Sequence, residues 1–315
     1  MNIDILIATY NPNLAFLEKQ IVSITKQEYD FKLHSVHVMI YDDGSNNQSE
    51  VLQLLNLHNT DSWDIVTNKN NVGFLRAFNN LIAKSTAELI FFCDQDDIWD
   101  NSKLSSFIEK YNQIKKKELP TVLFSDVQCI DENDNLLNLS HLNHMGYNRA
   151  KNESQFFLKN YVPGCSLAFN KPAKNIYISS ENYIGLHDYL LILIAIIYGS
   201  LIFIDKTTMS YRFHRNNTIA KYKRSFKYVV RDMANSFKYS LFRKKYHKQH
   251  AKLEKKQLKY FFELNASKYK KNHLDEYQII KKIETSPYSY NFDSFISGGD
   301  FGEFLIEKIL FSKIL

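Results

Sequence analysis

Leu89-Ile90-Phe91-Phe92-Cys93-Asp94-Gln95-Asp96-Asp97-Ile98-Trp99 is the stretch on which the fold turns. Five apolar residues in a row, too few for a helix, read as a strand buried on both faces. The run stops at four polar positions, three of them carboxylates, and resumes at Ile98-Trp99. Carboxylates crowded past the end of a buried strand repel one another, and a bound cation relieves that repulsion. Hard oxygen donors select Mg2+ or Mn2+, ions that also bind phosphates. The plainer alternative is a solvated acidic turn capping the next helix.

Strand and helix signals alternate on either side of this stretch. Ile3 to Thr9 is apolar and β-branched and ends at Asn11-Pro12, a turn signal. Leu14, Leu17, Ile21 and Ile24 recur at helical spacing. Val36 to Tyr41 is a second strand stopped by Asp42-Asp43-Gly44-Ser45, followed by a helix near Val51 to Leu57 and a short strand at Ile65-Val66. Phe74 to Ile82 reads as a third helix, Ser102 to Ile114 as a fourth with Ser102 as its N-cap, and Val122 to Phe124 opens another strand. Cys165 to Phe213 adds a strand, a helix and a final strand. Such alternation predicts an α/β domain with a mainly parallel sheet flanked by helices, whose ligands bind beyond the carboxyl ends of the strands. Three polar clusters fall at those ends: Thr9-Tyr10-Asn11, Asp42-Asp43 and Asp94-Gln95-Asp96-Asp97.

The chain has 315 residues, 44% of them hydrophobic and 23% charged, which suits one large domain with an appendage. Cys93, Cys129 and Cys165 are odd in number and lie far apart, a pattern that forms neither a disulfide framework nor a zinc site and suits a reducing, cytoplasmic setting. The N-terminus carries no basic region and no cleavage site, so no secretory signal is expected. The uncharged run from Tyr189 to Ile204 is shorter than the ~20 residues a membrane span needs. Gly199-Ser200 divides it, and it reads as a buried helix, a break and a buried strand.

Ala8-Thr9-Tyr10-Asn11, Asp42-Asp43-Gly44-Ser45, Asn71-Val72-Gly73 with Arg76 and Asn79, and Asp94-Gln95-Asp96-Asp97-Ile98-Trp99 occur in an order and spacing that resembles the family-2 glycosyltransferases of the GT-A (Rossmann-like) fold. Gly164-Cys165, His187-Asp188 and Tyr211-Arg212-Phe213-His214 are similar to segments of bacterial polysaccharide rhamnosyltransferases. The resemblance covers roughly residues 3–220, which defines a catalytic domain over 1–220. It implies an inverting transferase that moves a sugar from a nucleotide diphosphate to a hydroxyl of a glycan or lipid-linked oligosaccharide in surface polysaccharide (capsule) assembly. dTDP-rhamnose is the first donor it suggests, and a UDP-hexose or UDP-hexosamine the second.

The resemblance also assigns roles. Thr9, Tyr10, Asn11, Asn71 and Gly73 belong to the nucleotide side of the pocket, with Asp42 accepting a hydrogen bond from the base. Asp43 sits beside it, where a structural Asx-turn is the alternative. Arg76 and Arg212 reach phosphate oxygens or are otherwise solvated or salt-bridged. Asp94 approaches ribose and metal, Asp96 is the direct ligand of Mn2+ or Mg2+, and His214 is a further metal ligand or a structural histidine. Asp188 is the general base that takes the acceptor's proton; the other reading is a helix-start acid favoured by the dipole. His187 departs from the Glu-Asp pair common among relatives, and Trp99 either borders the acceptor or packs under the acidic loop. A metal-dependent nucleotidyltransferase or phosphohydrolase is the rival enzyme class, yet neither GxGxxG nor GxxxxGK[ST] occurs. A non-catalytic glycan- or lipid-binding scaffold is the rival outside enzymes, and intact Asp94, Asp96 and Asp188 argue against it.

Net charge is distributed unevenly. Residues 1–220 carry 19 basic against 24 acidic side chains, residues 221–271 carry 17 against 3, and residues 272–315 carry 4 against 7. Phe226, Val229, Val230, Met233, Phe237 and Leu241 form a stripe at helical spacing within the basic segment. We expect a helical C-terminal extension over 221–315, either lying on anionic lipid at the inner face of the plasma membrane or packing its apolar face on protein. No nucleic-acid motif accompanies the charge.

Overall fold

The computed structural model describes residues 1–59, 62–147, 156, 160–179 and 187–214. All of the secondary structure given below belongs to one unit, Met1–Glu181 with Leu186–Arg215. The basic extension read over 221–315 lies outside the described residues.

Among the described residues, nine strands and seven α-helices follow in the order β1 (Asn2–Thr9), α1 (Leu14–Thr25), β2 (Ser35–Asp42), α2 (Gln48–His58), β3 (Trp63–Thr67), α3 (Phe74–Lys84), β4 (Leu89–Cys93), β5 (Ile98–Trp99), α4 (Lys103–Asn112), β6 (Thr121–Ile130), β7 (Leu136–Asn138), α5 (His141–His144), β8 (Leu167–Asn170), α6 (Lys171–Ser179), α7 (His187–Tyr198) and β9 (Ser200–Arg212). The sheet order is β3-β2-β1-β4-β8-β6-β9-β5, with β7 on the side of β6. β1 pairs in parallel with β2 and β4, β2 with β3, and β6 with β9. The short β8 runs antiparallel between β4 and β6 and joins the two parallel halves. The long ladders are thus parallel, as the alternation predicts.

Side chains on a strand point alternately to opposite faces, and both faces of this sheet are covered. Ile3, Ile5, Ile7, Phe91 and Cys93 join one core with Leu17, Ile21 and Ile24 of α1, Val51 and Leu55 of α2, and Leu104, Phe107 and Ile108 of α4. On the other face Phe92 meets Phe78 of α3 at 5.1 Å, Phe169 of β8 at 5.0 Å and His187 of α7 at 4.6 Å between ring centroids. Burial of each such side chain contributes roughly 1.5–3 kcal/mol.

Two expected details differ. Ser102 precedes α4 but does not cap it through its side chain; its hydroxyl donates to Asp100 Oδ1 at 2.6 Å, because Asp100 forms its own local turn with Ser102 N. The segment before β9 holds two helices, α6 and α7, not one. Tyr189 to Ile204 divides as expected into a buried helix, a break at Gly199 and a strand. Among the described residues no helix is long and apolar enough to cross a membrane.

Candidate active site

The carboxyl ends of β1, β2 and β4 are tied together by hydrogen bonds between the loops that leave them. Tyr10 N donates to Gln95 Oε1 at 2.9 Å, and Asn11 N donates to Ser45 Oγ at 2.8 Å. Asn46 N donates to Asn11 Oδ1 at 2.7 Å, and Asp43 N donates to Thr9 O at 2.8 Å. Asn11 holds φ at 44°, a left-handed conformation that asparagine tolerates better than most residues. The three polar clusters therefore form one edge.

Within that edge the expected nucleotide-side residues divide into framework and accessible surface. Asp42 is fully buried, and its carboxylate accepts from Thr9 Oγ1 (3.1 Å), Ser45 N (3.0 Å), Ser45 Oγ (2.6 Å) and Gln48 Nε2 (2.8 Å). Four donors fill the four lone-pair positions of a carboxylate. These are the partners, in this structure, of the carboxylate that the resemblance assigns to the nucleotide base. Thr9 is buried as well, and its hydroxyl donates to Asp42. Asp43 clamps the start of α3, accepting from Val72 N and Gly73 N at 2.8 Å each. Tyr10, Asn11, Asn71 and Arg76 are exposed on the same edge, and Gly73 is half-buried.

Asp96 and His214, 118 residues apart, meet with Oδ2 and Nε2 2.5 Å from each other. Arg212 makes this possible. Its fully buried guanidinium donates from Nε to Asp96 O at 2.8 Å, pairs with Asp134 at 2.5 Å and lies 4.4 Å from the Phe16 ring centroid, while its backbone N donates to Asp97 Oδ1 at 3.0 Å. Arg212 is the salt-bridged strut of the acidic loop, the second of its two readings. Trp99 likewise packs under that loop, buried against Phe91.

Burial, with the charge of Asp96 added, pushes Asp94 up to about 7. Crowding of this kind is relieved by protonation or by a bound cation. One group, Asp94, Asp97 and Cys165, has its donor atoms within 4.8 Å of one another. Burial holds the Cys165 thiol well above its ordinary range, which leaves it protonated and a poor ligand for Mg2+ or Mn2+.

Asp188, at the start of α7, lies against Gly164 of the Gly164-Cys165 turn. A Cβ on Gly164 would lie 3.3 Å from Asp188 Cβ, so the turn and α7 approach closely here. Cys165 faces Asp94, and the charge of Asp188 is felt at Asp94. Asp188 accepts from Tyr189 N at 2.7 Å and Asn160 Nδ2 at 3.3 Å, and burial raises it to about 6. His187 stacks on Phe78 with centroids 4.7 Å apart, and burial drives it down to about 3, which makes it a neutral ring. The sequence reading passes over Asn160 and the buried Lys103. Lys103 had a visible signal, since it shares the i, i+4, i+8 face of Phe107 and Tyr111.

The family model of Glycosyl transferase family 2 matches residues 4–176, more than half of the chain and all three strand-end clusters. The chain belongs to glycosyl transferase family 2. The dTDP-rhamnosyl transferase RfbG of Shigella flexneri is 28% identical to this family member over 239 residues, covering 69% of this chain and 77% of the relative. An uncharacterized glycosyltransferase of Nostoc sp. is 30% identical over 112 residues, covering 35% of this chain and 33% of the relative. Among solved structures, S. aureus TarS in complex with UDP-GlcNAc superimposes with a TM-score of 0.50 at 14% identity, covering 70% of this chain and 61% of that one. That likeness is one of fold, the GT-A glycosyltransferase fold. The chain spans about three fifths of the TarS chain it matches.

Proposed function

We propose that this family-2 glycosyltransferase moves a deoxyhexose from a nucleoside diphosphate, first of all rhamnose from dTDP-rhamnose, to a hydroxyl of a glycan or lipid-linked acceptor, with inversion. The observation that supports the reading is a buried carboxylate, Asp188, held against Gly164, whose chain neighbour Cys165 has its thiol within 4.8 Å of the Asp94 and Asp97 donor atoms. A hydroxyl is a weak nucleophile until a positioned base takes its proton, and Asp188 is that base. A single carboxylate facing the donor side implies one displacement and hence inversion.

Asp94, Asp96 and His214 would hold Mn2+ or Mg2+. That ion supplies electrostatic stabilisation of the departing diphosphate. Tyr10, with 45% of its surface exposed, offers a ring on which a base can stack, and Asn11, Asn71, Gly73 and Arg76 border the same opening. Thr9, Asp42 and Asp43 hold these groups in place from behind. dTDP-rhamnose is favoured by the named activity of the Shigella relative over most of that protein's length. Residues 221–271 are assigned to the cytoplasmic membrane surface, on their basic surplus.

Thermal melts of the full chain against dTDP-rhamnose, UDP-glucose and UDP-GlcNAc, each with Mn2+ or with EDTA, test donor and metal together. We expect dTDP-rhamnose to stabilise most and only with the metal. A response undiminished in EDTA would remove the metal from the reading, and preference for a UDP-sugar would replace the donor.

A further inference from the structure

Phe74 opens α3 with 43% of its surface exposed, directly after Gly73. Gly73 belongs to the nucleotide-side edge, since its N and that of Val72 each donate to Asp43 at 2.8 Å. It holds φ at 92°, and a Cβ added there would meet nothing within 4 Å, so the chain faces open space at this point. On its other side the Phe74 ring meets His187 edge-on with centroids 6.1 Å apart, and the next residue in the chain is Asp188. The ring thus stands between the nucleotide edge and the proposed base. In a nucleoside diphosphate sugar, the part that lies between the nucleotide and the group activating the acceptor is the sugar being transferred.

What this corner offers a sugar is apolar. Phe78 stacks on His187 at 4.7 Å, and Phe92 meets it edge-on at 4.6 Å. His187 is more than nine-tenths buried and neutral, and its Nδ1 is sealed with no hydrogen-bond partner among the described residues. A hydroxyl pressed against Phe74 would leave water for a surface that returns no hydrogen bond, which costs free energy. A methyl group there gains by contact with the ring instead.

We propose that Phe74 is a specificity-determining residue, whose ring receives the C6 methyl of a 6-deoxyhexose and disfavours the hydroxymethyl group of an ordinary hexose. This rests on the donor reading of the site and deepens it, and no metal ligand enters it. An apolar wall discriminates against an added hydroxyl only modestly, by roughly 100-fold. Because Phe74 is exposed, such a hydroxyl would keep part of its water, and about tenfold is the expected size.

The test is a pair of ligands that differ by a single oxygen. Isothermal titration calorimetry of the full chain in Mn2+ buffer compares dTDP-L-rhamnose with dTDP-L-mannose, its 6-hydroxy counterpart, and with dTDP alone. The wild type should bind the 6-deoxy sugar about tenfold more tightly. Phe74→Leu keeps an apolar side chain and should retain most of that preference. Phe74→Ser should abolish it while leaving dTDP affinity unchanged. A wild type without the preference overturns the proposal whatever the variants do. So does an unchanged preference in Phe74→Ser, or an equal loss in the leucine and serine variants. A parallel loss of dTDP affinity would place the ring against the nucleotide and overturn it too. If only UDP-sugars bind, the dTDP-rhamnose reading falls, and UDP-6-deoxyglucose against UDP-glucose decides the role of Phe74 by the same comparison.

Discussion

Asp188 carries a conflict between stability and chemistry. Its carboxyl is raised from 3.8 to about 6 by burial, so the folded protein binds more protons than the unfolded chain between those values. Stability from this group is therefore greatest at low pH and declines as pH rises from about 4 to 6, by up to roughly 3 kcal/mol for a shift of two units. The base, however, acts only when ionised. We expect kcat/KM to fall about tenfold per pH unit below 6. Asp188→Asn should lose about 100-fold or more in turnover yet melt higher than wild type at pH 7.5, with the gap closing at pH 4.5. Melts at the two pH values beside a turnover assay check this, and unchanged turnover in a folded Asn variant would remove Asp188 from the chemistry.

Tyr10 and Asp42 show what residue identity alone conceals. Both stand in motifs that the sequence displays plainly, yet one ring is exposed and the other side chain is sealed behind four donors. Side-chain direction at a strand end depends on which loop folds over it, and periodicity does not encode that. Loss of a stacking ring removes about 1–3 kcal/mol of base binding. Tyr10→Ala should therefore raise the donor KM tenfold or more with little change in kcat, whereas Asp42→Ala should lower the melting temperature. Steady-state kinetics and a melt of each variant distinguish platform from brace.

At the scale of elements, legibility follows the range of the interactions that make each one. β1, β2, β4 and helices α1 to α4 are plain in the sequence because their apolar spacing is local. β8 is four residues long and antiparallel, and its place between β4 and β6 comes from pairing partners distant in sequence. β9 extends for 13 residues although Asp205-Lys206-Thr207 interrupts its apolar run, since register shifts opposite Asp126 absorb the polar stretch. The Asp96–His214 contact depends on this strand reaching the acidic loop. Gly199 sets its starting point. A Cβ there would lie 1.7 Å from Pro120 O, and Ser200 N donates to that same oxygen at 2.9 Å. Gly199→Ala must push β9 away from β6, and we expect a loss of about 3 kcal/mol or more, or failure to fold. Denaturant unfolding measures it, and a loss under 1 kcal/mol would mean that the α7–β9 corner yields easily.

For the molecule as a whole, charge divides the chain more sharply than composition does. Residues 1–220 carry five more acidic than basic side chains, while residues 221–271 carry fourteen more basic than acidic. Each basic residue at an anionic lipid surface contributes up to about 1 kcal/mol, an attraction that fades within a Debye length. An apolar stripe beside the charge, Phe226 to Leu241, would add a contribution that salt does not screen. Together they predict that the full chain cosediments with phosphatidylglycerol-containing vesicles at low ionic strength and not with vesicles of phosphatidylcholine alone. Raising salt to about 1 M, where the Debye length is near 3 Å, should release most of the protein. Replacing the basic residues of 221–245 with glutamine should abolish cosedimentation while leaving transfer to a water-soluble acceptor intact, because that chemistry is assigned to residues 9–214. Absence of cosedimentation, or equal binding to both vesicle types, would instead favour the apolar stripe packing on protein, and the basic surplus would then serve solubility alone.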